Sequence, residues 1–400
     1  MPPDAKTLND LNVVVQAAIT LTKQLQTALS AIQRDPTVTT ASSSSPAAEQ
    51  TPADPLALAR DSASLIRAHS TKLSLLLVNE PFTPSAIVKE IRTLTSKPLP
   101  CLAASLDACH PDLYTTAYRR ELALRCMDIL AETVQLLHKV PADGRSLSSK
   151  NQGFSAGEKG SIALTGLLWA ACDETIGLAD KGVGGFFVKK VEQWRDELKD
   201  VMEELKDWGD EEPDDDDEED DDDDDDHAGE GDVGGEGNSA QDMVDELMNS
   251  HGTIPRSDPE KIRPRLETSL KRLRLVTLLY QAIVKRRLKK LPTIPVAADN
   301  KTTAGKVESA KAEDAEKEDK TETVPQRLDQ VAKLLLRLPD RFGDLAGAFY
   351  ELDTVEIDQA MDQCFLDAFA ASELLARSWD GGRDEFTEWT EKFQVEIRKE

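Results

Sequence analysis

Apolar residues return every three or four positions along most of this chain. From about residue 4 to 34 the stripe runs through Leu8, Leu11, Val15, Ala18, Thr22, Leu25, Leu29 and Ile32. Such spacing predicts a helix with one face laid along an antiparallel or coiled partner. Asp54-Pro55 then offers an N-cap and a first-turn proline, ahead of Ala59, Ala63, Ile66, Ser70, Leu73 and Leu77. Asn79-Glu80-Pro81 and Thr83-Pro84 break the chain, and the pattern restarts through Ile87, Ile91 and Leu94. Further helices are predicted over about 111–139, ended by Pro141-Ala-Asp-Gly144, and over 158–179, around Trp169 and Cys172. After Gly182-Val-Gly184-Gly185 comes the clearest stripe of the first half: Val188, Val191, Trp194, Leu198, Val201, Leu205 and Trp208.

A short helix is predicted over 239–248 and a long one over 258–291, with Leu266, Leu270, Leu273, Thr277, Tyr280, Val284 and Leu291 on one face. Three more follow, over about 325–350, 354–378 and 383–399, the last holding Phe386, Trp389, Phe393 and Ile397. No strand-like alternation appears. The predicted fold is all-α, in elongated antiparallel up-and-down bundles. Scarce aromatics, 5% of residues, agree with helices rather than a sandwich or barrel.

Charge changes the organisation. Residues 210–226 read DEEPDDDDEEDDDDDDD, and setting those sixteen acids aside reduces the net charge from −27 to −11. Like charges at successive positions repel and offer nothing to bury, so this run is expected to be a solvated, disordered loop. The expected domains are an N-terminal bundle over 1–208 with a linker at 36–54, an acidic insert over 209–257, and a C-terminal helical region over 258–400 with a linker at 292–324. The two halves could also share one bundle across the loop. The run itself serves either as a solubilising spacer or as a dock for basic partners such as histones.

The opposite sign collects nearby. Residues 260–290 hold eleven Lys or Arg against two acids, ending in Lys285-Arg-Arg-Leu-Lys-Lys290. A solvated helix face, a contact with the acidic run, and an import or partner-docking patch all fit this pattern. Nucleic acid is disfavoured, because the whole chain repels phosphate and only Tyr280 interrupts the basic residues. Arg286-x-Leu288, with Arg287 between, also fits the short basic-x-leucine pattern that cyclins dock.

No catalytic constellation emerges. Gly153-Phe-Ser-Ala-Gly157-Glu-Lys159-Gly-Ser161 lacks the spacing of a phosphate loop and the strand before it. The five histidines are scattered, the five cysteines form no CxxC pair, and no cofactor or metal is expected. Neither a secretion signal nor eighteen uninterrupted apolar residues are found, so a soluble, intracellular chain is expected, with no membrane partner. Ser45-Pro46, Thr51-Pro52 and Thr83-Pro84 fit proline-directed kinases.

Several stretches resemble the cyclin-D-binding, or cyclin-D-interacting, protein family. They are KLSLLLVNEPFTPSAIVKEIRTL (72–94), LLWAACDETIGLADKGVGGFFVKKVEQWRDELKDVMEEL (167–205) running into an acidic insert, and EFTEWTEKF (385–393). The resemblance implies a helical bundle, like those of vinculin and α-catenin. It also implies a non-enzymatic cell-cycle regulator of nucleus and cytoplasm that binds cyclin D and helix-loop-helix regulators. The chain departs from that pattern in its second linker and in the length of its aspartate run. An adaptor presenting helical grooves is thus the leading expectation, with Trp194, Leu198, Trp208, Arg286, Arg287, Leu288, Trp389 and Phe393 as candidate partner-binding residues. An acidic chaperone-like binder of basic proteins and a vinculin-like cytoskeletal linker are the alternatives.

Overall fold

The structure, a computed structural model, describes residues 4–38, 54–147, 160–211, 253–295 and 323–399. The described elements are helices: α1 (Ala5–Arg34), α2 (Pro55–Val78), α3 (Pro84–Ser96), α4 (Pro98–Ala108), α5 (Pro111–Tyr114), α6 (Thr116–His138), α7 (Ser161–Gly209), α8 (Ile262–Arg286), a 3₁₀ turn (Leu288–Lys290), α9 (Val324–Tyr350), α10 (Thr354–Leu374) and α11 (Glu385–Glu396). The all-α bundle expectation holds. The acidic run beyond Glu211, the helix expected at 239–248, and the Ser45 and Thr51 sites lie outside the described residues.

Two compact units form, one from 1–187 with 291–330, the other from 188–290 with 331–400. The divide falls inside α7 and inside α9, not at residue 208 as the acidic run suggested. Each unit therefore draws helices from both sides of that run.

In the first unit, Leu11, Leu29, Ile66, Leu73, Ile87, Ile91, Leu122, Ile129 and Leu130 are fully or almost fully buried. Polar pairs at the core's edge fix helix direction. Arg67 pairs with Asp173 at 3.0 Å, and Trp169 Nε1 donates to Thr71 Oγ1 at 3.1 Å, so α7 runs antiparallel to α2. Tyr118 Oη donates to the Leu178 carbonyl at 3.2 Å, and Arg125 pairs with Glu174, setting α7 against α6 in the same sense. The expected break near residue 182 is a kink within α7, where Gly182 takes φ 59°, a left-handed value that glycine adopts without steric cost. The apolar start of α7 is long and hydrophobic enough to pass for a membrane span, but its Leu164, Leu168 and Cys172 are buried in the bundle. Ile162 and Leu167 of the same stretch are exposed.

Two features escaped the sequence reading. Residues 98–108 form α4, because Pro98 sits in the first helical turn, where its missing N–H costs nothing. The single helix expected over 111–139 is split at Thr115, φ 75°, whose side chain accepts from the Tyr118 N–H at 3.1 Å. Asp329 completes that cap, taking the Thr116 and Ala117 N–H groups at 2.7 and 3.0 Å.

In the second unit the last turns of α7 meet α9: Trp208 lies 6.2 Å from the Phe349 ring and 5.3 Å from Tyr350. Tyr280 of α8, fully buried, donates its hydroxyl to the Leu335 carbonyl at 2.7 Å. Phe342 and Phe365 join α9 to α10 edge to face. The pairings Arg265–Asp358 and Arg286–Glu385 give α8 parallel to α10 and antiparallel to α11, an up-and-down order.

Arg287 closes this unit. Its side chain is 1% exposed, and its guanidinium donates to both Asp384 oxygens at 2.7 and 2.9 Å and to the carbonyls of Leu375 and Ala376. The Phe386 ring lies 4.3 Å beneath it. Asp384 also caps α11 through the N–H groups of Phe386 and Thr387. The Arg287 guanidinium, aided by the Thr387 N–H, holds the Asp384 carboxyl far below the ordinary carboxylate range.

Asp329→Ala should cost the first unit about 1–2 kcal/mol, lowering its urea midpoint while leaving the second unit's transition in place. Asp384→Ala should cost the second unit on the order of 3 kcal/mol, since it strands a buried guanidinium. Because folding depresses the Asp384 pKa, its contribution is complete above about pH 4 and fades on acidification below that value. The wild-type chain should therefore lose stability below about pH 4 more steeply than the variant. Arg286→Ala, next door but 42% exposed and paired to an 87% exposed Glu385, should change stability by about 0.5 kcal/mol or less; melts across pH check all three.

Candidate protein-interaction surfaces

Helices built on one apolar stripe have a buried face and an outer face, and the sequence does not say which candidate falls on which. Trp194, Leu198 and Trp208 fall on the buried face of α7, inside the second unit. Leu288 is buried in the 3₁₀ turn and Arg287 in the Asp384 latch. Arg286 is bound to Glu385 at 2.8 Å, so Arg286-x-Leu288 is a packed helix end and not a projecting strand. Phe393 is buried, and half-buried Trp389 stacks between Phe386 at 5.6 Å and Phe393 at 5.4 Å. The structure thus brings Arg286, Arg287 and Leu288 together at the end of α8 and spreads the others through one core. As placed, most of these residues hold the bundle together instead of offering a groove.

The outer faces carry different residues. In the first unit, α2 exposes Leu65 and Leu75, and α7 exposes Ile162 and Leu167. Leu75 borders a groove of about 450 Å³ lined by Lys72, Leu76, Asn79, Glu80, Pro81 and Glu90. Glu90 in that lining is paired with His69, whose Nδ1 lies 2.5 Å from Glu90 Oε1. The groove has one apolar wall and several charged groups, a mixture that suits a protein surface better than a small apolar ligand.

In the second unit the exposed residues of α8 are Pro264, Glu267, Lys271, Arg274, Leu278 and Lys285, followed by Lys289 and Lys290 after the helix. The sequence reading registered the basic character but not this stripe. Its signal was present in part: these positions are among those that remain of 258–291 once the buried stripe is removed.

Cys109, Cys126, Cys172 and Cys364 are buried and none of the described cysteines is in a disulfide. Burial pushes the Cys109, Cys172 and Cys364 thiols up to about 12, so they are protonated at neutral pH and poor nucleophiles. Among the described residues no three His, Cys, Asp or Glu converge as a metal site.

Comparison with known proteins places part of this architecture. Over 238 residues the chain is 24% identical to an uncharacterized protein of Schizosaccharomyces pombe, covering 59% of this chain and 62% of that protein. The chain thus spans less than two thirds of that relative's length. Residues 59–211 match the family described as Grap2 and cyclin-D-interacting, N-terminal. That stretch runs from α2 to the end of α7 and contains both the 72–94 and the 167–205 segments. Over this stretch the chain is similar to the N-terminal domain of the Grap2 and cyclin-D-interacting family.

Proposed function

We propose that this chain is a non-enzymatic regulator that acts by binding other proteins, a D-type cyclin among them, and thereby influences cell-cycle progression in nucleus and cytoplasm. The observation that carries the reading is the domain match over 59–211. The chemistry of the described surfaces supports it. The Cys109, Cys126, Cys172 and Cys364 thiols are buried, while exposed Leu75 borders a groove on the first unit. Recognition then uses the outer faces of α2 and α7, with apolar contacts at Leu75 and Leu167 supplying affinity and the charged rim supplying orientation.

A second reading has its own support. The sixteen acids within 210–226 provide a dense anionic segment suited to histones or other basic proteins. Salt separates the two, since exposed charge pairs are screened and apolar contacts are not.

Mixing the purified full chain with a D-type cyclin should give saturable binding that persists at about 0.5 M salt. Leu75→Asp together with Leu167→Asp should weaken it by about tenfold or more, with circular dichroism unchanged. Failure of the two proteins to associate in calorimetry would contradict the cyclin reading. Histone binding that disappears when the acids of 214–226 become Asn and Gln, without any cyclin binding, would favour the second.

A further inference from the structure

Ten of the residues from Ile262 to Lys290 are Lys or Arg and one is acidic. Five of the ten are engaged within the second unit. Arg265, Arg286 and Arg287 pair with Asp358, Glu385 and Asp384; Arg263 and Arg272 donate to the carbonyls of Gly209 and Lys399. The other five, Lys271, Arg274, Lys285, Lys289 and Lys290, are exposed and form no salt bridge among the described residues. Lys271, Arg274, Leu278 and Lys285 are spaced by three, four and seven, so they share one side of α8, with Leu278 45% exposed among them.

Such a face is out of keeping with a chain of net charge −27, and its complement is tethered beside it. Residues 212–226 contain fourteen acids, and they follow directly on α7. The end of α7 abuts the start of α8: Arg263 Nη1 donates to the Gly209 carbonyl at 3.1 Å, and a Cβ on Gly209 would collide with Leu266. The acidic run is therefore tethered, through α7, beside the start of α8, the end from which the basic stripe begins. From Leu266 to Lys285 the helix advances about 29 Å at 1.5 Å per residue, while fifteen extended residues reach about 50 Å. The described stretches on either side, ending at Glu211 and starting at Thr253, belong to the second unit, so the tethered run has a local concentration at the stripe on the order of millimolar.

We propose that the outward face of α8, built on Lys271, Arg274, Lys285, Lys289 and Lys290, is the docking surface for the chain's own acidic run 212–226. The run competes there with any external acidic peptide, so α8 is an anionic-peptide site occupied from within. This contact does not depend on the cyclin reading.

Zero-length carbodiimide coupling of the full chain should join Lys271, Lys285, Lys289 or Lys290 to acids of 214–226 at low salt, with the yield falling several-fold at about 0.5 M salt. Coupling a mixture of isotopically light and heavy chains should give links within one chain; predominantly mixed links would overturn the proposal. A second measurement uses an oligo-aspartate of about the same length as the run. Converting the acids of 214–226 to Asn and Gln removes the internal competitor and should tighten oligo-aspartate binding by about tenfold or more. K271Q/R274Q/K285Q/K289Q/K290Q, all at exposed positions, should abolish that binding with the melting curve kept. Equal oligo-aspartate affinity for the intact and neutralised chains would contradict the proposal, as would coupling of the run chiefly to lysines elsewhere.

Discussion

A long helix with one apolar stripe must cover that stripe, and whatever covers it decides which residues remain for partners. Each fully buried leucine contributes about 1.5–3 kcal/mol relative to an exposed one, far more than a surface charge pair. The stripes of α7 and α8 are accordingly closed against α9, α10 and α11, with Leu198, Leu205, Leu273, Leu279, Leu338 and Phe349 nearly or fully removed from water. The residues that look most adhesive in the sequence are consumed by the fold. What the protein presents outward is a charged surface with leucines set singly into it.

Polar groups then fix what apolar burial leaves undetermined. Leucine stripes permit several registers, whereas Arg287 accepts only one arrangement of Asp384, Leu375 and Ala376 around it. Asp329 does the same for α6, joining α9 to the break at Thr115 across more than two hundred residues of sequence. Buried charges of this kind contribute more to selecting one arrangement than to net stability.

Much of this was legible in the sequence. The stripes located α1, α2 and α3 to within a few residues, Asp54 caps α2 as its position suggested, and Gly182 marks the kink in α7. The misses share one cause, which is that they depend on partners distant in the chain. No helix was expected over 98–108, because α4 carries no clear apolar period and is held by packing on α2. The cap at Thr115 needs Asp329. The unit boundary after Phe187 is set by helices found only after residue 330, so no local change of composition announces it. For the candidate site, Trp194, Trp208 and Phe393 carried the chemistry of contact residues, but a stripe position and a groove position look alike until the covering helices are placed.

The central claim is that the helix before the acidic run and the helices after it form one cooperative bundle. Native-state hydrogen exchange on the full chain, followed through rising denaturant, tests it directly. The account predicts that slow amides of 188–208 open at the same free energy as those of 262–286 and 331–350, as a single unit. Amides of 188–208 that instead opened together with those of 161–181, leaving 262–286 protected, would contradict it.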